Sequence, residues 1–171
     1  TVADVTIDES GTTATVTVSV DKAVVGGFTV DADTANATAS SGSDYTSTGT
    51  TLTFAGTASE TETFTVAITG DAIVEADETL SVALSNVSAV SGADIVSSDT
   101  ATVTITDDDT ATLTVADVTI DESGTTATVT VSVDKAVQGG FTVDADTANA
   151  TATSGSDYTS TGTTLTFAGT A

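Results

Sequence analysis

The sequence predicts an all-β protein, an immunoglobulin-like antiparallel β-sandwich of about seven strands carried as a tandem repeat. Three observations predict it. Apolar residues alternate with Thr and Ser at a period of two, and no stretch shows the helical period. β-Branched residues dominate the alternating runs, and small clusters of Gly, Ser and Asp separate them at short intervals. Residues 114–171 restate residues 1–58, an offset of 113 (114 − 1), with only two differences: Val25 becomes Gln138 and Ser40 becomes Thr153.

The predicted strands of the first copy follow in order. The opening segment runs from Val2 to Ile7. Val16, Val18 and Val20 alternate with Thr17 and Ser19, and Phe28 and Val30 flank Thr29. Leu52 and Phe54 flank Thr53, and Phe64, Val66 and Ile68 form the next stripe. Leu80, Val82 and Leu84 follow, then Val103 and Ile105. Glu9-Ser10-Gly11, Gly26-Gly27, Ser41-Gly42-Ser43-Asp44 and Gly70-Asp71 supply turn chemistry between them. Absence of Trp and Cys excludes an antibody-type domain, and absence of Pro leaves edge strands to be protected by charge, bulges or pairing.

The expected organisation is a complete repeat over 1–113 and the N-terminal half of a second over 114–171. The chain opens mid-pattern at Thr1, so the expectation is a piece of a longer array. Half a sandwich cannot close its core and exposes sheet edges. The expected reading is that this piece simply stops part way through the second repeat; the alternative is strand donation from another copy of the chain, which would answer that problem. The linker Asp109-Thr110-Ala111-Thr112-Leu113 is short, so neighbouring repeats are the expected partners.

The charge is extreme: 25 Asp plus Glu against two lysines, Lys22 and Lys135, for a formal net charge of −23. Such a surface repels nucleic-acid phosphates. No apolar run approaches the ~18–20 residues that span a bilayer, so direct membrane insertion is not expected. With 39% hydrophobic residues the chain can still fold, provided salt screens the repulsion or bound cations offset it. The sequence has no His and no Cys, and its Ser residues form no recognisable Ser/His/Asp set. Paired carboxylates alone can hydrolyse glycosides, but five Phe and two Tyr offer few sugar platforms. The expectation is a non-enzyme. Tyr45 and Tyr158 are expected at strand corners with their hydroxyls bonded to backbone, and the lysines paired with nearby acids.

The first copy holds 18 acids and the second 7. Three clusters stand out: Asp8-Glu9; Asp71, Glu75, Asp77 and Glu78; and Asp107-Asp108-Asp109. Each lies in a turn or directly after a strand, and the second and third can meet at one end of an antiparallel pair. Calcium takes six to eight oxygen ligands at roughly 2.3–2.6 Å, with carboxylates supplying the charge. Adjacent carboxylates such as 107–109 repel unless a cation neutralises them. Isolated acids such as Asp21, Asp94 and Asp99 read as solvated surface. Neither an EF-hand loop nor a GGxGxD repeat is present.

DESGTTATVTV, FTVDADTANATASSGSDYTSTGTTLTFAG, VAITGDAIVEADETLSVALSNV and ATVTITDDD, in that order, resemble the Calx-beta domain, a family of sodium–calcium exchanger loops, an integrin subunit and large bacterial surface proteins. The resemblance implies a seven-stranded sandwich with Ca2+ clustered at the end of the domain near the linker. Carried over by motif, it implies Glu9, Asp71, Glu75, Asp107, Asp108 and Asp109 as ligands, with Glu78 as an addition. The family's TADGTA stretch reads TANATA here, which leaves Asn36 to offer a carbonyl oxygen without charge and implies fewer ions or weaker binding. Glu122 and Asn149 are the counterparts of Glu9 and Asn36 in the second copy. The expected function is a calcium-binding structural repeat of an extracellular bacterial adhesin or filament, with calcium stiffening domain junctions. A calcium-sensing regulatory module and a ligand- or glycan-binding module are the alternatives.

Overall fold

The computed structural model describes residues 1–97 and 99–169, and its regular structure is entirely β. The described residues form two compact units. The first comprises Thr1–Asp71 and Ala76–Asp108, and holds strands β1 (Val5–Asp8), β2 (Thr13–Ser19), β3 (Phe28–Asn36), β4 (Gly49–Phe54), β5 (Thr61–Ala67), β6 (Glu78–Ala89) and β7 (Thr100–Thr106).

These seven strands make two sheets, one in the order β1-β7-β6-β3-β4 and the other β2-β5. The period-two pattern explains why they face one another. Ala14, Val16 and Val18 of β2, with Phe64 and Val66 of β5, are buried, while the Thr residues between them are mostly exposed. Phe28, Val30 and Ala32, Leu52 and Phe54, Leu80 and Val82, and Ala101, Val103 and Ile105 supply the opposing layer. Phe28 and Phe54 stack at 4.6 Å between ring centroids. Each fully buried side chain of this size contributes about 1.5–3 kcal/mol through lost apolar exposure.

One pairing departs from the antiparallel pattern. β1 runs parallel to β7, with Val5 opposite Val103 and Ile7 opposite Ile105. The opening segment divides between sheets: Val2 bridges Val18 of β2, and the chain then crosses to β7. Two acids hold this crossing, since Val2 N–H donates to Asp99 Oδ2 at 2.9 Å and Thr102 N–H donates to Asp4 Oδ1 at 2.8 Å. Asp99 therefore has a structural role beyond solvated charge. Between β3 and β6 the register shifts at Thr29/Asp31, and Asn86, at φ 49°, donates to Asp31 Oδ2 at 2.9 Å.

The second unit comprises Ala72–Glu75 and the described residues from Asp109 onward. It contains two separate two-stranded pairs, β8 (Leu113–Val115) with β9 (Val131–Val133) and β10 (Phe141–Asp146) with β11 (Gly162–Phe167). Phe141 and Phe167 stack at 4.9 Å. No apolar residue described from Asp109 onward is among the buried core residues.

Candidate metal centre

The first unit gathers carboxylates around the turn after β1. Glu9 N–H donates to the carbonyl of Thr106 at 2.9 Å, extending the β1–β7 pairing by one residue and setting Glu9 beside the start of Asp107-Asp108. Asp8 takes no part in the gathering: its Oδ1 accepts both the N–H, at 3.0 Å, and the hydroxyl of Ser10, closing the turn locally. Glu9 is 8% exposed and is the sole buried charged residue among those described. Its Oε1 accepts the N–H of Asp71 at 2.9 Å.

Gly70 makes that approach possible. A Cβ at this position would meet the Glu9 carbonyl oxygen at 2.7 Å, so a side chain would push the Asp71 amide away from the carboxylate.

Burial raises the pKa of Glu9 above the ordinary carboxylate value. The Asp71 N–H bond opposes this, and the charges of Asp71, Asp107 and Asp108 push it further up. A carboxylate with a raised pKa in the folded state binds its proton more tightly there than in the unfolded chain. Glu9 therefore stabilises the fold as pH falls through its folded pKa and costs stability when ionised. Glu9 thus feels the charge of three further acids, Asp71 from the chain after β5 and Asp107 and Asp108 from the chain after β7. The donor set of the four is all oxygen, and one member is desolvated against like charge. Such a set suits a hard cation such as calcium, which would replace repulsion by coordination.

The remaining expected ligands are Glu75, Glu78 and Asp109. Glu78, at the start of β6, brings a carboxylate oxygen within 4.8 Å of one from Asp44. Asp44 was not expected, because its turn cluster accounts for it without further chemistry. Its Oδ2 accepts the Ser40 N–H at 2.6 Å and its carbonyl accepts the Thr69 N–H at 2.9 Å. Its place within GSDY, between β3 and β4, was the available signal.

Asp77 Oδ1 accepts the Asp107 N–H at 3.3 Å. Asp109 and Glu75 belong to the second unit. There Asp109 is ion-paired with Lys135, as expected for that lysine, and Glu75 Oε1 accepts from Gln138 Nε2 at 2.8 Å.

The Asn36 side-chain oxygen already accepts two hydrogen bonds, from Tyr45 Oη at 2.6 Å and from Ser41 N–H at 3.0 Å. Two acceptances use both lone pairs of an amide carbonyl, so in this conformation it orders the GSDY loop. Tyr45, 1% exposed, therefore bonds a side-chain amide and not the backbone as expected. Tyr158 repeats the bond to Asn149 at 2.8 Å.

The fold and its carboxylate cluster define an acidic β-sandwich module with an oxygen-rich end. The chain belongs to the Calx-beta family: the Calx-beta domain model matches residues 1–109 and again 108–170. Among solved structures, the chain is similar to CBD12 from CALX1.2 (27% identity, TM-score 0.56, covering 63% of this chain and 42% of that one). It is also similar to the calcium binding domain CBD12 of CALX1.1 (25%, TM-score 0.55, covering 64% and 45%). The apo-form Calx CBD1 domain (24%, TM-score 0.52, covering 63% and 98%) shares the fold. The match thus spans less than half of each CBD12 chain. No curated protein sequence matches.

Proposed function

We propose that this chain is a non-enzymatic, calcium-binding structural repeat of an extracellular adhesin or filament, in which calcium stiffens the junctions between repeats. The observation that carries the calcium reading is buried Glu9, held against the Asp71 amide and raised in pKa by burial and by the charges of Asp71, Asp107 and Asp108. The similar CBD12 of CALX1.1 is a calcium binding domain, and family membership supports carrying that chemistry here. The structural role is supported by near-identical tandem copies, a charge of −23 and the absence of His and Cys. Asp107-Asp108-Asp109 runs into the short linker, so cation binding there would bear on linker mobility. Other repeats are the proposed partners.

Thermal unfolding with calcium in excess and with chelator tests the calcium reading, with magnesium and added sodium as controls. Calcium alone is expected to raise Tm. Glu9→Gln is expected to abolish that rise while leaving stability in chelator equal or higher, because the amide removes a repelled buried charge. Equal stabilisation by sodium would reduce the acids to screened surface charge and overturn the ligand assignment.

A further inference from the structure

The two copies differ at only two positions, and one of them is engaged in a contact that the first copy leaves open. In the second unit, the extended segment 72–75 lies along residues 136–138. Val74 bridges Val137 in parallel, Val74 N–H donates to the Ala136 carbonyl at 2.9 Å, and Gln138 N–H donates to the Val74 carbonyl at 2.9 Å. Gln138 Nε2 then reaches the Glu75 carboxylate at 2.8 Å. Lys135, next to this edge, is ion-paired with Asp109.

The counterparts in the first copy are Lys22, Ala23, Val24 and Val25. Their backbone is already shaped in the same way. Gly26 and Gly27 take φ of 84° and 73°, against 71° and 70° at Gly139 and Gly140, and Gly27 N–H bonds the Val24 carbonyl as Gly140 N–H bonds Val137. Val24 N–H is used internally, on Gly56 at 2.9 Å. Among the described residues, neither the Ala23 carbonyl nor the Val25 N–H makes a hydrogen bond, and Val25 is 84% exposed.

We propose that the Ala23–Val25 edge is a docking site for an extended apolar–acidic segment of the Ile-Val-Glu kind, supplied by a Calx-beta repeat outside this chain. The segment adds its backbone to the edge through the Ala23 carbonyl and the Val25 N–H, as strand addition does elsewhere. Lys22 supplies the cation for a carboxylate on the incoming repeat, and residue 25 tunes affinity through its side chain. This inference is independent of calcium.

The test uses the full chain, isotopically labelled, in chelator, titrated with a synthetic peptide of the sequence of residues 70–78, GDAIVEADE. Saturable amide shifts are expected at Ala23, Val24 and Val25 at millimolar peptide. Val25→Gln, which copies the second repeat, should tighten binding about fivefold, the equivalent of one net hydrogen bond. The substitution is at an exposed position and leaves the core untouched. Three results would overturn the proposal: no shift at 23–25 at millimolar peptide, shifts confined to 136–138, or equal shifts with a scrambled peptide of the same composition.

Discussion

Residues 1–58 and their repetition from Thr114 are almost the same sequence, yet they do not make the same structure. Val16 is fully buried, whereas Val129 is 55% exposed. Val5 and Ile7 form β1 against β7, while Val118 and Ile120 lie outside any strand at 44% and 45% exposure. What survives in both copies is short in range. The hairpin β3–β4 reappears as β10–β11 in matching register, with Phe28 opposite Phe54 and Phe141 opposite Phe167. Both copies also keep the Tyr–Asn bond across the GSDY loop. What is lost needs residues 59–109: the seven-residue pairing of β2 with β5 and the parallel pairing of β1 with β7. Local turns and hairpins are thus written into the first half of the repeat. Burial of its apolar face requires strands from the second half.

Substitutions at matched positions can break or sharpen this comparison. Phe54→Ala should cost about 3–5 kcal/mol, because the ring is 1% exposed and leaves a cavity. Phe167→Ala should cost less than half of that, read by denaturant unfolding followed residue by residue. Equal losses would mean that the stacked hairpin, and not the sandwich, holds each copy. Val16→Ala should cost about 2 kcal/mol from lost burial plus cavity. Val129→Ala should stay within about 0.5 kcal/mol, as at other exposed positions.

Tyr45→Phe removes the hydroxyl that meets Asn36 in a buried setting, and a loss of about 1 kcal/mol is expected. Tyr158→Phe should cost less, since solvent can replace the bond to Asn149.

The smallest effect concerns Glu60, which caps the turn after β4. Its carboxylate accepts the N–H groups of Ala55, Gly56 and Thr57, and these bonds, led by that from Ala55, hold its pKa below the ordinary value. A depressed pKa contributes stability above the unfolded value that is lost as pH falls through the folded one. Glu60→Gln should therefore lower Tm slightly at neutral pH and have no effect in acid. A Tm difference that persists in acid would contradict this cause.

Much of the fold was legible because period-two alternation leaves few alternatives. Val16–Val18, Phe64–Val66 and Leu80–Val82 each announce a buried face. Alternation does not encode strand direction, however, so the parallel course of β1 could not be read from Val5 and Ile7. The site was legible in outline, since acids at strand ends meet when the strands pair. Finer placements were not legible, for physical reasons. Asp108 and Asp109 are neighbours in sequence but fall into different units, and spacing says nothing about which side a carboxylate takes. Asn36 sits where the family motif places a ligand, but its oxygen serves Tyr45 and Ser41. Asp44 was hidden inside a turn that already accounted for it.

The most direct measurement is a site-resolved calcium titration of the labelled chain that compares Glu9 with Glu122. Glu9 is buried beside Asp71, Asp107 and Asp108, whereas Glu122 is exposed, and the sequence holds no counterpart of those partners for it. Saturable shifts at the amides of Glu9, Asp71, Asp107 and Asp108, absent at Glu122 and not reproduced by magnesium, are predicted. Equal and non-saturating shifts at Glu9 and Glu122 would contradict the account and reduce the cluster to ordinary surface charge.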